Sequence, residues 1–205
     1  MSARGPFQDK PCIRVEGLCL ARGGRTLFEG LSFAAASGAY VEVHGSNGSG
    51  KTSLLRAIAG FLKPSGGRIA FENVEEPSLA LHFVGHANGA KRETSVREHL
   101  RYWSGLFGGA SKEDFIAQTL GLEQVLALPL RTLSQGQARR LALARLLVVP
   151  RPIWLLDEPA AALDESGKAV LAQMIATQRD AGGIVVAAVH EALGPAPTQI
   201  VRVPR

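Results

Sequence analysis

The segment HGSNGSGKTSLLRAIAG, residues 44–60, combines three loop glycines with a lysine and a threonine at spacings suited to holding phosphate. The glycines allow backbone conformations in which successive N–H groups turn inward around an anion. Lys51 adds a positive charge for the phosphates, and Thr52 adds a hydroxyl for Mg²⁺. The strand-like run YVEVH precedes this loop and a helical run follows it, which is the context that a nucleotide-phosphate loop requires. The pattern predicts nucleotide contacts from Gly45, Ser46, Asn47, Gly48, Ser49, Gly50, Lys51, Thr52 and Ser53.

A pair of carboxylates follows the apolar run IWLL at residues 153–156. Asp157 ends that run, where its carboxylate can hold Mg²⁺ through water, and Glu158 is the next residue. A carboxylate beside the terminal phosphate can polarise an attacking water, which is a task of hydrolysis that a kinase does not need. We therefore predict that Asp157 serves the metal and that Glu158 serves hydrolysis.

The motif LSQGQ, residues 133–137, predicts a second anion site. Ser134 can cap a helix that begins near Gly136, and a glycine-rich helix N-terminus attracts anions. One phosphate loop and two anion sites are consistent with two copies of the chain facing each other head to tail. Ser134, Gly136 and Gln137 of each copy would then cover the terminal phosphate held by the other.

The elements that position these residues are predicted to form a parallel α/β core, because apolar strands alternate with helices. Two antiparallel strands, at 13–20 and 26–36, precede the loop and are joined by a turn at Gly23-Gly24. The later predicted strands are PSGGRIAFENV, 78–85, 153–157 and 184–190, with helices after the loop and over 165–179. We expect one domain over residues 1–205, with a helical subdomain inserted at about 94–149.

Three aromatic residues, Tyr102, Trp103 and Phe107, lie in the helical part of this insert. Their spacing suits either a buried core or exposed anchors for a partner. Burial is the favoured interpretation, because large apolar side chains are usually buried.

The composition is that of a soluble globular protein, with 46% hydrophobic and 20% charged residues among 205. Apolar runs such as IVVAAV are much shorter than the roughly 18 residues of a membrane span. The start MSARGPFQDK is not followed by an apolar segment, so no secretory signal is expected and the ATP-rich cytosol is the expected compartment.

The net charge of +5 can attract nucleic acid or an anionic membrane. The arginines are scattered, however, which favours an ordinary solvated surface. His82 and His86 would share one face of a strand, but no cysteine or carboxylate cluster accompanies them. A histidine metal site is therefore not predicted.

Five motifs resemble, in order and spacing, those of ABC-type ATPase subunits, and the resemblance covers nearly the whole chain. They are residues 45–52, 133–137 and 153–158, the triplet Ala162-Leu163-Asp164, and His190. The resemblance implies a P-loop NTPase core of the ABC ATPase type, with an N-terminal antiparallel β subdomain and a helical arm that grips a membrane partner. It implies ATP and Mg²⁺ as cofactors and Glu158 as the catalytic base. It also implies that His190 contacts the γ-phosphate and that Asp164 acts across a head-to-tail dimer.

Longer stretches resemble a narrower family, the CcmA or haem exporter ATPase subunits of the bacterial cytochrome c maturation system. These stretches are FEGLSF, GSNGSGKTSLLR, FVGHANGAK and ARLLVVPRPIWLLDEP. The resemblance implies a haem-transporting ATPase at the cytoplasmic face of the inner membrane. Its implied partners are CcmB, CcmC and CcmD and, indirectly, the haem chaperone CcmE, with no nucleic acid.

Two other functions remain open from the sequence. One is the ATPase subunit of another small-substrate exporter. The other is a soluble ABC protein that acts on nucleic acid or ribosomes, although such proteins usually carry two cassettes or long coiled-coil insertions, and this chain has neither.

Two positions depart from the general ABC pattern. Arg22 stands where most relatives stack an aromatic residue on adenine, so its guanidinium either stacks on the base or remains a surface charge. His86 stands where most relatives carry a glutamine that reaches Mg²⁺ and the attacking water. A neutral imidazole offers one donor and one acceptor and can replace that glutamine. The alternative is that Asn88, or no side chain, takes this role and His86 packs beneath the loop.

Overall fold

Two β-sheets form the framework of the computed structural model, which describes residues 7, 9–85, 93–110 and 112–203. The strands are β1 (Cys12–Arg22), β2 (Arg25–Ala35), β3 (Tyr40–His44), β4 (Gly66–Glu72), β5 (Leu81–Val84), β6 (Ile153–Asp157), β7 (Ile184–Ala188) and β8 (Gln199–Arg202). The α-helices are α1 (Lys51–Ile58), α2 (Pro77–Ala80), α3 (Val96–Phe107), α4 (Glu113–Leu120), α5 (Gln135–Val148) and α6 (Glu165–Asp180). None of the helices within the described ranges has the length and apolarity that a bilayer span requires.

The N-terminal sheet is antiparallel, in the order β2-β1-β4. The predicted pairing of β1 with β2 is confirmed, and Gly23 and Gly24 make the turn with φ of 59° and 77°. The register of β1 shifts between Val15 and Leu18, with Gly17 in the left-handed region at φ 54°. This irregularity lets residues on either side of Gly17 face the same core despite their odd spacing, as a β-bulge does.

The second sheet is parallel, in the order β5-β6-β7-β3-β8, and confirms the predicted α/β core. Every residue of β6 and β7 is buried, because both faces of the sheet are covered. Trp154 and Leu156 pack into one apolar cluster, and Ile153 and Leu155 pack into the other on the opposite face. The sheet therefore separates two hydrophobic cores.

Strand β5 ends this sheet in the part of the chain that the structure describes. Alternate carbonyls along it and just beyond it accept hydrogen bonds from arginines on or after α5. The pairs are Arg151 Nη1 with Leu81 at 2.7 Å, Arg145 Nη1 with Phe83 at 2.9 Å and Arg139 Nη1 with Gly85 at 2.8 Å. These contacts satisfy acceptors that an edge strand leaves without a neighbouring strand.

The structure differs from the predicted strands at two places. The predicted strand at 78–85 begins only at Leu81, because Pro77 at the first helical position starts the short helix α2. The C-terminal strand β8 pairs with β3 but was not predicted.

The helical part of the chain contains α3, α4 and α5, which pack on one face of the parallel sheet. Ser95 caps α3, and Glu98 completes a capping box. The aromatic residues of α3 divide between the two predicted environments: Trp103 is 4% exposed and lies in the core, whereas Tyr102 is 63% exposed. Phe107 is half-buried against the core.

Candidate functional site

The phosphate loop connects the end of β3 to the start of α1, as predicted. Gly48 and Gly50 have φ of 79° and 107°, in the left-handed region that favours glycine. A Cβ at Gly50 would also lie 3.2 Å from the Phe28 ring. The glycine at position 50 is thus required by both conformation and packing, and it places the loop N–H groups at the positive end of α1.

Lys51 lies at the first position of α1 and is almost fully buried. Its Nζ donates hydrogen bonds to the carbonyls of Gly45 at 2.8 Å and Ser46 at 3.3 Å. The ammonium group therefore folds back onto the start of the loop and adds its positive charge there, as binding of a phosphate would require.

Thr52 and Asp157 are brought together from different elements, α1 and β6. The Thr52 Oγ1 donates a hydrogen bond to Asp157 Oδ1 at 2.9 Å. Hydroxyl and carboxylate oxygens are suitable ligands for Mg²⁺, which usually takes one or two protein groups and completes its shell with phosphates and water. Within the described ranges no cluster of three or more His, Cys, Asp or Glu residues could hold a metal by itself. The donor set fits magnesium that arrives with a nucleotide.

Glu158 and His190 approach each other beside the loop. The Nε2 of His190 lies 2.9 Å from Oε1 of Glu158, so the Nε2–H tautomer donates to the carboxylate. Glu158 directly follows β6, and its own N–H donates to the carbonyl of Ala188 at 3.0 Å. Both residues thus sit at the carboxyl ends of neighbouring parallel strands, where open α/β sheets bind ligands.

One cavity of about 490 Å³ joins the loop to this pair. Its lining includes Arg22, Glu158 and His190. The other lining residues are Leu27, Ser46, Asn47, Gly48, Gly50, Lys51, Thr52, Ser53 and Arg56. The structure therefore brings most of the predicted loop residues, Arg22, Glu158 and His190 together around this cavity. Its lining carries both cationic groups and a carboxylate.

The motif LSQGQ, residues 133–137, is called the signature motif from here on, and it starts helix α5, as predicted. Ser134 caps the helix: its Oγ accepts from the Gln137 N–H at 3.2 Å, and Gln137 Oε1 accepts from the Ser134 N–H at 2.9 Å. The helix begins at Gln135, one residue before the predicted start. Gly136 packs closely, since a Cβ there would lie 3.1 Å from the carbonyl oxygen of Ala162.

Arg140 of α5 links Asp164 to the helix of the signature motif, and it was not among the predicted site residues. Arg140 Nη2 donates to Asp164 Oδ1 and, at 2.7 Å, to Ser166 Oγ. The hydrogen bond from Arg140 holds the pKa of Asp164 below its usual value, and the N–H of Gly167 adds to this effect. A cavity of about 400 Å³ is lined by Gly121, Ser134, Gly136, Gln137, Arg140, Ala162 and Asp164.

The two cavities have no lining residue in common. The structure therefore does not bring Ser134, Gly136, Gln137 and Asp164 to the phosphate loop of the same chain. The predicted site residue His86, and its alternative Asn88, lie outside the described residues.

Comparisons with known proteins identify the family of the chain. Residues 28–161 match the model of the ABC transporter family, ABC_tran. The Cytochrome c biogenesis ATP-binding export protein CcmA of Rhizobium meliloti (strain 1021) is 45% identical over 191 residues, which cover 89% of this chain and 92% of that protein. The protein of the same name from Bradyrhizobium diazoefficiens is 48% identical over 178 residues, covering 84% and 88%. A solved structure of a putative ABC transporter ATP-binding protein from Pyrococcus furiosus superposes with a TM-score of 0.80 at 27% identity, covering 94% of this chain and 97% of that one.

Proposed function

Because the chain belongs to the ABC transporter family of ATP-hydrolysing subunits, we propose that it is the ATPase of a membrane complex in cytochrome c biogenesis. The observation that carries the catalytic part is the Glu158–His190 pair, which lines the same cavity as the phosphate loop. The cytochrome c part rests on the similarity to the CcmA proteins over about nine-tenths of their length.

The proposed hydrolysis assigns each step to a residue of this site. Lys51 and the loop N–H groups hold the phosphates, and Thr52 and Asp157 hold Mg²⁺, which neutralises charge on the phosphoryl oxygens when it is bound. Glu158 accepts the proton of the attacking water. His190 keeps the Glu158 carboxylate facing the cavity through the hydrogen bond described above.

A second copy of the chain supplies the missing half of each site in this proposal. The signature cavity is separate from the phosphate loop of its own chain, and it carries the N-terminal end of α5. Such a helix end favours an anion. Head-to-tail pairing would therefore place Ser134 and Gly136 of one copy over the terminal phosphate held by the other.

The proposed membrane partners are CcmB, CcmC and CcmD, and indirectly CcmE, at the cytoplasmic face of the inner membrane, with haem as the cargo that is moved or released. Tyr102 and Leu106 of α3 are exposed, as are Phe61 and Leu79. Exposed apolar side chains of this kind suit contact with a partner's helix. We also propose that residues 1–205 act as one ATPase domain, with 94–149 as its helical subdomain.

His86 and Arg22 have narrower roles in the proposal. His86 would replace the family glutamine near the metal, so His86→Gln should retain much of the rate and flatten its dependence on pH between about 5.5 and 7.5. Superimposable pH–rate profiles of the two proteins would end this part of the proposal. Arg22, which lines the nucleotide cavity, would stack its guanidinium on the base.

The central experiment replaces Glu158 by glutamine. Glu158→Gln keeps the size of the side chain and removes the base, so it should bind ATP normally, lose hydrolysis and accumulate an ATP-bound dimer in size-exclusion chromatography. Glu165→Gln is the matched control, because Glu165 is exposed and pairs with Lys168. Near-normal turnover by the Glu158 variant would remove this residue from the role of base.

A second experiment tests the biological assignment. The chain is purified through a tag from detergent-solubilised membranes, and the copurifying proteins and haem are identified by mass spectrometry and absorption spectroscopy. Multi-spanning subunits of a cytochrome c maturation complex support the proposal. Ribosomes or nucleic acid in their place would favour the soluble ABC alternative, and a different set of membrane subunits would favour another exporter.

A further inference from the structure

Arg139 is buried where helix α5 meets two other segments of the chain, the end of β5 at Gly85 and the turn at residues 157–159. It lies on α5, five residues after Ser134, and is 4% exposed. Its guanidinium donates four hydrogen bonds, all to main-chain carbonyls. The acceptors are Gly85 at 2.8 Å, Asp157 at 2.7 Å, Glu158 at 2.7 Å and Pro159 at 3.1 Å.

Three of these acceptors are consecutive residues, which is unusual because successive carbonyls of an extended chain point in alternating directions. They converge on Arg139 where the chain turns sharply at Glu158. The φ of Glu158 is 50°, in the left-handed region that residues other than glycine rarely occupy. A conformation of this kind is strained and persists only where the surrounding structure holds it.

An arginine is suited to holding this turn. The planar guanidinium carries five N–H donors in a fixed geometry, so it can bind several carbonyls without rearranging. In the described part of the chain Arg139 forms no ion pair within 4.0 Å. The main-chain carbonyls are therefore its hydrogen-bond partners, and they define its position.

We propose that Arg139 is a positioning residue for hydrolysis, which holds the left-handed turn at Glu158 and thereby aims the Glu158 carboxylate at the nucleotide cavity. The inference rests on the proposed role of Glu158 as base. Because Ser134 and Arg139 lie on the same helix, a displacement of the signature end of α5 is transmitted to the turn that carries the base. Arg139 itself touches neither nucleotide nor water in this proposal.

A simpler role for Arg139 is to donate a hydrogen bond to a carbonyl at the edge of the sheet, as Arg145 and Arg151 do. Arg145 is the matched comparison, because it lies on the same helix and donates to Phe83 in the same strand. Among the described residues this is the one hydrogen bond that Arg145 makes, and its guanidinium donates none to the carbonyls of residues 157–159. If both arginines only occupy carbonyls at the sheet edge, replacing either one should change kcat equally. If Arg139 positions Glu158, only replacement of Arg139 should lower kcat.

The experiment measures steady-state ATP hydrolysis of Arg139→Gln, Arg139→Lys and Arg145→Gln, with the melting temperature of each. We expect kcat of Arg139→Gln to fall by at least about tenfold, because small misplacements of catalytic groups cost up to about a hundredfold. KM for ATP should stay within about threefold, since the phosphate loop is unchanged. Arg145→Gln should keep kcat within about threefold even where it melts earlier.

Two further readouts separate positioning from folding. Arg139→Lys keeps a charge but has a single donor head, so its kcat should lie between those of the wild type and Arg139→Gln. Slow hydrolysis should also make Arg139→Gln accumulate the ATP-bound dimer, which a damaged fold would not form. If Arg139→Gln does not fold, the same two measurements, kcat and the amount of ATP-bound dimer, are made on Arg139→Lys instead.

Unchanged kcat in the folded Arg139 variants, or an equal loss in Arg145→Gln, would overturn the proposal. A folded Arg139 variant that no longer forms the dimer with ATP would do the same, because that result would assign Arg139 to the signature site. Failure of the base assignment has a different signature: Glu158→Gln would then retain turnover, whatever the Arg139 variants do.

Discussion

Acid should weaken the fold through His82, which lies in β5 with 2% of its surface exposed. Its Nε2 donates to the carbonyl of Val149 at 2.9 Å, and its ring packs edge-on against Phe107. Burial lowers the pKa of His82 from 6.5 to about 4, and the nearby charges of Arg151 and Arg145 act in the same direction. The folded protein therefore holds this imidazole in its neutral form.

The direction of the effect follows from proton linkage. In the unfolded chain the imidazole takes up a proton below about pH 6.5, whereas in the folded protein it does so only near pH 4. The stabilisation is complete above the unfolded pKa and is lost as the pH falls between these values. With 1.36 kcal/mol per pKa unit, moving from pH 7.5 to 5.0 should lower the free energy of unfolding by about 2 kcal/mol through this residue alone.

The assay is urea unfolding at pH 7.5 and 5.0, followed by circular dichroism, for the wild type, His82→Gln and His82→Leu. Neither variant titrates at this position, so both should lose about 2 kcal/mol less than the wild type between the two pH values. Glutamine can still donate a hydrogen bond to the carbonyl of Val149, and leucine cannot. At pH 7.5 His82→Leu should therefore be less stable than His82→Gln by about 1 kcal/mol. Equal pH dependence in all three proteins would refute the reasoning.

The remaining predictions concern the nucleotide and partner surfaces. Lys51→Ala should weaken ATP binding at least about tenfold and abolish hydrolysis, as measured by fluorescent-nucleotide titration and phosphate release; unchanged affinity would contradict the phosphate role. Ser134→Arg should leave ATP binding by the monomer intact but prevent the ATP-bound dimer in size-exclusion chromatography, and a dimer that still forms would count against head-to-tail pairing. Tyr102→Glu should reduce copurification of membrane subunits, whereas Phe115→Glu, a similarly exposed aromatic on α4, should not; equal recovery with both variants would remove Tyr102 from the interface.

Local patterns were sufficient to predict the phosphate loop, its flanking strand and helix, and the cap of α5. In each case the physical cause lies within a few residues: glycines at a turn, an apolar strand before it, a serine before a helix. The parallel core was predictable for the same reason, because strands buried on both faces appear as continuous apolar runs.

Features that depend on tertiary packing were not predictable. Tyr102 and Trp103 are neighbours in sequence, but a helix turns by about 100° per residue, so one faces solvent and the other the core. Strand β8 has a single buried residue among four and gives little periodic signal. In the sequence Arg139 looks like any other arginine of a solvent-exposed helix. Its role depends on hydrogen bonds to residues that are 18 to 54 positions away in the chain, and these cannot be predicted from local sequence.

The arginines along β5 also bear on how the protein behaves at high concentration. An uncovered outer strand is a template for pairing with a strand from another molecule, which leads to swapped dimers and aggregates. Here guanidinium groups occupy alternate acceptors of that strand, so a foreign strand would have to displace charged, hydrogen-bonded side chains before it could join the sheet. Loss of Arg151 or Arg145 should therefore be more evident in the solubility of the purified protein, and in association that grows with its concentration, than in its rate of turnover.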